Sequence, residues 1–131
     1  MKYSMNSKIR FSEADEDGCL SVPALVSYFQ DCATFQAESL GLGYDFLAAR
    51  GQAWILSSWQ IEIERMPRMY EDVQVTTWAY EFRAFFGLRN FTLTDQEGRV
   101  CARANSNWVL YDVAQKRPAS AAREGLGFIG A

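Results

Sequence analysis

The chain has 131 residues, 49% hydrophobic and 15% aromatic, a length that suits one domain and a composition too apolar for a disordered segment. No run of about 18 uninterrupted apolar residues is present, and the opening MKYSMNSKIRFSE lacks the apolar core of a secretory signal, so a soluble cytoplasmic protein with no membrane partner is expected. With 16 acidic against 13 basic side chains, net charge −3, and no glycine-rich phosphate loop, no nucleic-acid partner is expected.

In chain order, Ile9 and Phe11 alternate with polar neighbours and predict a short strand over Lys8 to Ser12. An acid-rich loop follows, with Glu13, Asp15, Glu16 and Asp17 ahead of Gly18 and Cys19. Ser21 has the side chain of a helix N-cap, and Pro23 suits a first turn because it has no amide hydrogen to leave unpaired. Leu25, Tyr28, Phe29, Cys32, Phe35 and Leu40 then recur at helical spacing, predicting a long helix from Pro23 to Leu40, packed deep against a sheet and ended by Gly41 and Gly43. A short helical turn is expected around Tyr44 to Arg50.

Strands fill the remainder. In QAWILSSWQIEIERMP, Ile55, Trp59, Ile61 and Ile63 fall on one face and Gln60, Glu62 and Glu64 on the other, up to Pro67. In DVQVTTWAYEF, Val73, Val75, Thr77 and Ala79 lie opposite Trp78, Tyr80 and Phe82. LRNFTLTD and RVCARANSNWVLYD form a hairpin through Gln96, Glu97 and Gly98, the glycine taking a positive φ. The final RPASAAREGLGFIGA is expected to be a tail, at least over residues 119–131. A strand, a long helix and a meander of four long antiparallel strands make an α+β plan, the layout of a hot dog fold: one domain over 1–131 with a curled antiparallel sheet around a central helix. One helix cannot cover both faces of a sheet carrying Trp54, Trp59, Trp78 and Trp108, so surface is left for a ligand or for a second copy, and a homodimer or higher homo-oligomer is expected.

The chain contains no histidine, which removes the commonest general base and the Ser/His and Cys/His nucleophilic pairs. Cys19, Cys32 and Cys101 are odd in number and widely spaced, as suits reduced thiols; no disulfide, metal or cofactor is expected. Charge is uneven. Residues 1–64 carry 9 acidic and 4 basic side chains, residues 65–131 carry 7 and 9. Arg65, Arg68, Arg83, Arg89, Lys116 and Arg117 are the candidates for a basic patch toward an acidic partner, or are scattered surface charges.

IRFSEADEDGCLSVPALVSYFQDCATFQAESLG, IEIERMPRMYEDVQVTTWAYEF and GLRNFTLTDQEGRVCARANSNWVLYD, with KRPA after it, together resemble the bacterial and plant acyl-ACP thioesterases from about Ile9 to Ala119. That family carries two hot dog domains in tandem, and this sequence resembles the first, which mainly contributes the fatty acyl pocket. The resemblance implies hydrolysis of fatty acyl thioesters, with acyl carrier protein as partner, either by half of a tandem enzyme or by a compact relative that works alone. It also makes Phe29, Trp54, Trp78 and Phe82 candidates for the pocket wall. A looser similarity links Glu13, Asp15 and Gly18 to the E-x-D-x-x-G motif of single-domain hydroxybenzoyl-CoA-type thioesterases, whose aspartate is catalytic; Cys19, Ser21 and Val22 stand where that family often has histidine and asparagine nearby.

These residues suggest a chemistry. A helix N-terminus offers unpaired amides and partial positive charge, so backbone around Gly18, Cys19, Ser21 and Val22 is a candidate oxyanion site, with Asp15 as general base or nucleophile and Glu13 and Asp17 as alternates. Cys19 is the less suited nucleophile without a histidine partner. Carboxylates ahead of a helix are also favoured electrostatically without any catalysis, by roughly 0.3–1 kcal/mol each. Gln30, Asp31 and Gln36 on the helix, and Asn105 and Asn107 on the last strand, are further polar groups that face either a pocket or water. A dehydratase of this fold would need a histidine. The rival to a thioesterase is a non-catalytic acyl-binding or dimerisation module.

Overall fold

The computed structural model describes residues 1–119; the expected tail lies, beyond Ala119, outside the described residues. Six strands and two helices follow in the order β1 (Tyr3–Lys8), α1 (Val22–Ser39), α2 (Tyr44–Ala49), β2 (Gln52–Ile63), β3 (Asp72–Arg83), β4 (Phe86–Thr94), β5 (Val100–Asp112) and β6 (Arg117–Pro118), with a 3-10 turn at Phe11–Glu13. The strands form one antiparallel sheet in the order β1-β3-β4-β5-β2, with β6 also paired to β5. The sheet curls around α1, which is the hot dog arrangement.

Helix α1 starts where the sequence indicates. The Ser21 hydroxyl accepts the Ala24 amide at 3.2 Å, and Pro23 occupies the first turn. It ends with Gly41 at φ 72°, a conformation glycine adopts without a Cβ penalty. The stripe Leu25, Tyr28, Phe29, Cys32, Ala33 and Gln36 is buried against Val73 and Val75 of β3, Phe91 and Leu93 of β4, and Ala102 and Ala104 of β5. Phe29 centres this core, stacked on Phe91 at 5.0 Å between ring centroids and tilted on Trp59 at 6.0 Å; such a side chain contributes roughly 1.5–3 kcal/mol by burial.

Several elements depart from the sequence expectation. The first strand is Tyr3–Lys8, not Lys8 to Ser12: the chain leaves the sheet after Ile9, whose backbone is tied to Glu71 and Tyr70, and turns so that Phe11 is 76% exposed. Phe35 is exposed because it lies off the stripe, and Gln36 takes the inward position. Strand β2 does not neighbour β3. The connection from Glu64 to Glu71 is long enough to cross the sheet's end, so β2 pairs with β5 and only β3-β4-β5 is a meander. Arg117–Pro118 is a short strand, where a tail was expected. The β4–β5 hairpin is as expected: Gly98 has φ 78°, and Asp95 accepts the Glu97 and Arg99 amides.

Two bulges change which side chains point inward. Ser57 is the extra residue of β2, between the pairs Leu56–Trp108 and Ser58–Asn107, so Ile55 moves to the outer face at 48% exposure while Trp54 turns in. Tyr80 is the extra residue of β3, between Ala79–Arg89 and Glu81–Leu88. Phe82 therefore joins the inner face, not the outer one with Trp78. In both strands one unpaired residue reverses the period-2 alternation beyond it.

Candidate functional site

The two bulges bring Trp54 and Phe82 together, 5.9 Å between ring centroids, at the end of the sheet that faces the C-terminal half of α1. There they line an apolar cleft with Ala33, Ala37, Leu42 and Trp108. It stays open because the facing positions are small. A Cβ built on Gly87 would stand 3.1 Å from both Phe82 and Trp54, so glycine is what lets these rings approach the β4 backbone. Of the other two pocket candidates, Phe29 is wholly buried in the central core. Trp78 is on the outer face, its ring under the Lys2 ammonium at 4.8 Å and beside Asn90 and Asn105.

Among the described residues, one charged side chain enters the inner face. Arg89 of β4 is 8% exposed and lines the same cleft, flanked across the sheet by Ala79 and Ser106, both small. Its Nη1 donates to Gln36 Oε1 at 2.6 Å and to Thr77 Oγ1 at 3.1 Å. Burial lowers its pKa to about 10, which leaves it charged at neutral pH. Arg89 was a candidate for a surface basic patch; the structure corrects this, because alternation with Phe91 and Leu93 points it inward. That alternation was visible in the sequence, as was the position of Gln36 one turn after Cys32. Among the other patch candidates, Arg65 pairs with Glu71 and Asp95, Arg83 pairs with Glu81, and Arg68 reaches the Asp17 carbonyl at 3.5 Å.

The acid loop lies at the opposite end of α1. From Val22 to Ala33 the helix axis spans about 16 Å at roughly 1.5 Å per residue, so one chain does not bring Asp15 to the cleft. Asp15 Oδ1 accepts the amides of Asp17 at 2.9 Å and Cys19 at 3.1 Å. Glu13 accepts the Tyr28 hydroxyl at 2.6 Å and pairs with Arg10 at 3.0 Å. Of the four amides considered for an oxyanion, Gly18 donates to the Asp15 carbonyl, Cys19 to the Asp15 carboxylate and Ser21 to the Glu13 carbonyl. Val22 alone makes no such bond among the described residues. Gly18, at φ 77°, turns the loop. Asn105 bonds Tyr80 and Asn90 on the outer face, away from the cleft.

No helix among the described residues is long and apolar enough to cross a membrane. The sequence matches the family described as "Acyl-ACP thioesterase N-terminal domain" over residues 1–127. It is 27% identical to a chloroplastic acyl-[acyl-carrier-protein] hydrolase of Cuphea viscosissima over 89% of this chain and 30% of the relative. The fold superposes on an acyl-ACP thioesterase from Bacteroides thetaiotaomicron with a TM-score of 0.86 and 29% identity, covering 90% of this chain and 49% of the other. It also superposes on a DHNA-CoA thioesterase from Staphylococcus aureus with a TM-score of 0.85 at 14% identity, covering 93% and 82%. The chain thus spans about a third of the curated plant relative and half of the bacterial one. With its match running from the first strand to beyond the last, this chain belongs to the acyl-ACP thioesterase N-terminal domain family.

Proposed function

We propose that this protein takes part in hydrolysing fatty acyl thioesters carried on acyl carrier protein, releasing a free fatty acid and a thiol, in fatty acid biosynthesis in the cytoplasm. The observation that carries this reading is the apolar cleft of Trp54, Phe82 and Trp108, in a chain of this family. An aliphatic chain fits such a wall because its burial is favourable in proportion to apolar area. No cofactor takes part in the proposal. Hydrolysis needs a base for water and donors for the developing oxyanion. Asp15 is the proposed base and Asp17 its alternate, with the Glu13 carboxylate already engaged by Tyr28 and Arg10. Because Asp15 and the cleft of one chain lie at opposite ends of α1, the site is completed in a homodimer, in which the acid loop of one copy meets the cleft of the other.

The test is thiol release from medium- and long-chain acyl-ACP by the purified chain and by Asp15→Asn. Asparagine retains an Oδ1 that accepts the Asp17 and Cys19 amides, so the variant is expected to fold and to lose roughly 10² to 10⁴ in rate. Wild-type rates in Asp15→Asn would remove Asp15 from the mechanism. A second reading is favoured by the internal use of the Gly18, Cys19 and Ser21 amides: a non-catalytic acyl-binding half, with chemistry supplied by another domain. Acyl-ACP binding without any thiol release by the unmodified chain would select it.

A further inference from the structure

The Arg89 guanidinium has one side fixed and the other free. Gln36 is held by its own Nε2, which donates to the Met1 carbonyl at 3.3 Å, so its Oε1 faces Arg89. Thr77 donates its hydroxyl proton to the Asn90 carbonyl at 3.0 Å, so its lone pairs face Arg89. Both oriented acceptors engage Nη1, and both are neutral. Nε and Nη2, the edge that binds a carboxylate through two parallel hydrogen bonds, have no acceptor among the described residues. Nor does a carboxylate pair with this arginine there. The titratable side chain nearest in influence is the Cys32 thiol, which burial pushes up to about 11, so it carries no charge at neutral pH. A buried cation without a counter-charge is costly, and this one stands on the wall of an apolar cleft of about 80 Å³, enough for several waters at roughly 10–15 Å³ each.

We propose that the cleft binds an aliphatic carboxylate, its head group held by Nε and Nη2 of Arg89 and its hydrocarbon body lying along Trp54, Phe82 and Trp108. This rests on the reading of the cleft as an acyl pocket and names a second chemistry for it. The carboxylate has two sources, a free fatty acid or the far-end carboxyl of a dicarboxylic acyl chain. Either supplies the charge that the arginine lacks.

The experiment is a titration of the full chain with octanoate and with 1-octanol at neutral pH, followed by tryptophan fluorescence and calorimetry. Octanoate is expected to bind about tenfold or more tightly than octanol. Arg89→Met is expected to weaken octanoate about tenfold or more and to leave octanol within about threefold. Because Arg89→Met removes a buried network, Gln36→Glu serves as the second variant: it gives up the bond to the carbonyl of the exposed Met1, but its carboxylate satisfies Arg89 internally, and it is expected to fold and to weaken octanoate similarly. Equal binding of octanol and octanoate, or unchanged octanoate affinity in a folded Arg89→Met or in Gln36→Glu, would overturn the proposal. Non-hydrolysable thioethers of octanoyl- and 7-carboxyheptanoyl-pantetheine separate the sources. Tighter binding of the carboxy compound points to a far-end carboxyl; tighter binding of free octanoate than of either thioether points to the fatty acid. All of these are binding measurements, so an absence of thiol release leaves the result interpretable.

Discussion

Tyr28 shows how a residue near the acid loop serves the fold. Its hydroxyl donates to Glu13 from a ring that is 4% exposed, linking the loop to the first turns of α1. Burial and the Glu13 bond together push the phenol up to about 12. A group whose folded pKa is raised contributes stability that is complete below its unfolded value and lost as pH rises through the folded one. Tyr28 therefore favours folding below about pH 10 and ceases to do so toward pH 12, and the Cys32 thiol acts similarly between about 9 and 11. Urea unfolding is expected to show stability falling from pH 9 to 12, less steeply in Tyr28→Phe. At neutral pH that variant should lose roughly 1.5–3 kcal/mol, the range for a hydrogen bond to a charged group. An unchanged alkaline slope would show that the phenol is not what titrates.

At the scale of elements, the two bulges are what make the cleft. Without the extra Ser57 and Tyr80, Trp54 and Phe82 would fall on the outer face, where the alternation of their strands alone places them. Deleting Ser57 restores regular pairing and forces a choice: either Trp54 or Trp59 must leave the inner face. Since Trp59 packs on Phe29, Phe91 and Trp108, Trp54 is the ring expected to move out. The measurable outcome is a red-shifted tryptophan emission and a loss of roughly 1.5–3 kcal/mol, the worth of one large apolar side chain. An unshifted spectrum with full stability would mean that the strand accommodates the deletion elsewhere.

For the whole molecule, the edges matter most. Strand β2 closes one side of the sheet over Gln52–Ile63; Ile55 on its outer face is 48% exposed, and Ile63 at its end is 43% exposed. A long edge strand with apolar side chains is usually covered, since its free N–H and C=O groups pair with any similar edge. The proposed homodimer covers it and, by two-fold symmetry, offers a route for one acid loop to reach the other cleft. Sedimentation equilibrium is expected to give twice the chain mass at micromolar concentration. A strict monomer that still releases thiol would sink the shared-site arrangement while leaving the hydrolase reading in place.

Local rules determined much of this protein. Helix α1, its serine cap, its glycine end and the Gly98 hairpin follow from periodicity, capping and backbone freedom, all expressed within a few residues of chain. The resemblance of the strand segments was equally legible. Even the inward Arg89 was written in the alternation of β4, though a charged residue in a strand is ordinarily read as solvated. Tertiary structure alone decided the rest: that β2 pairs with β5, that Ser57 and Tyr80 bulge, and that the acid loop and the cleft lie at opposite ends of α1. The reason is physical. A side chain's period is a property of its own strand, but the point at which that period reverses is set by the partner strand's register. Which strand becomes the partner depends on contacts between residues far apart in the chain.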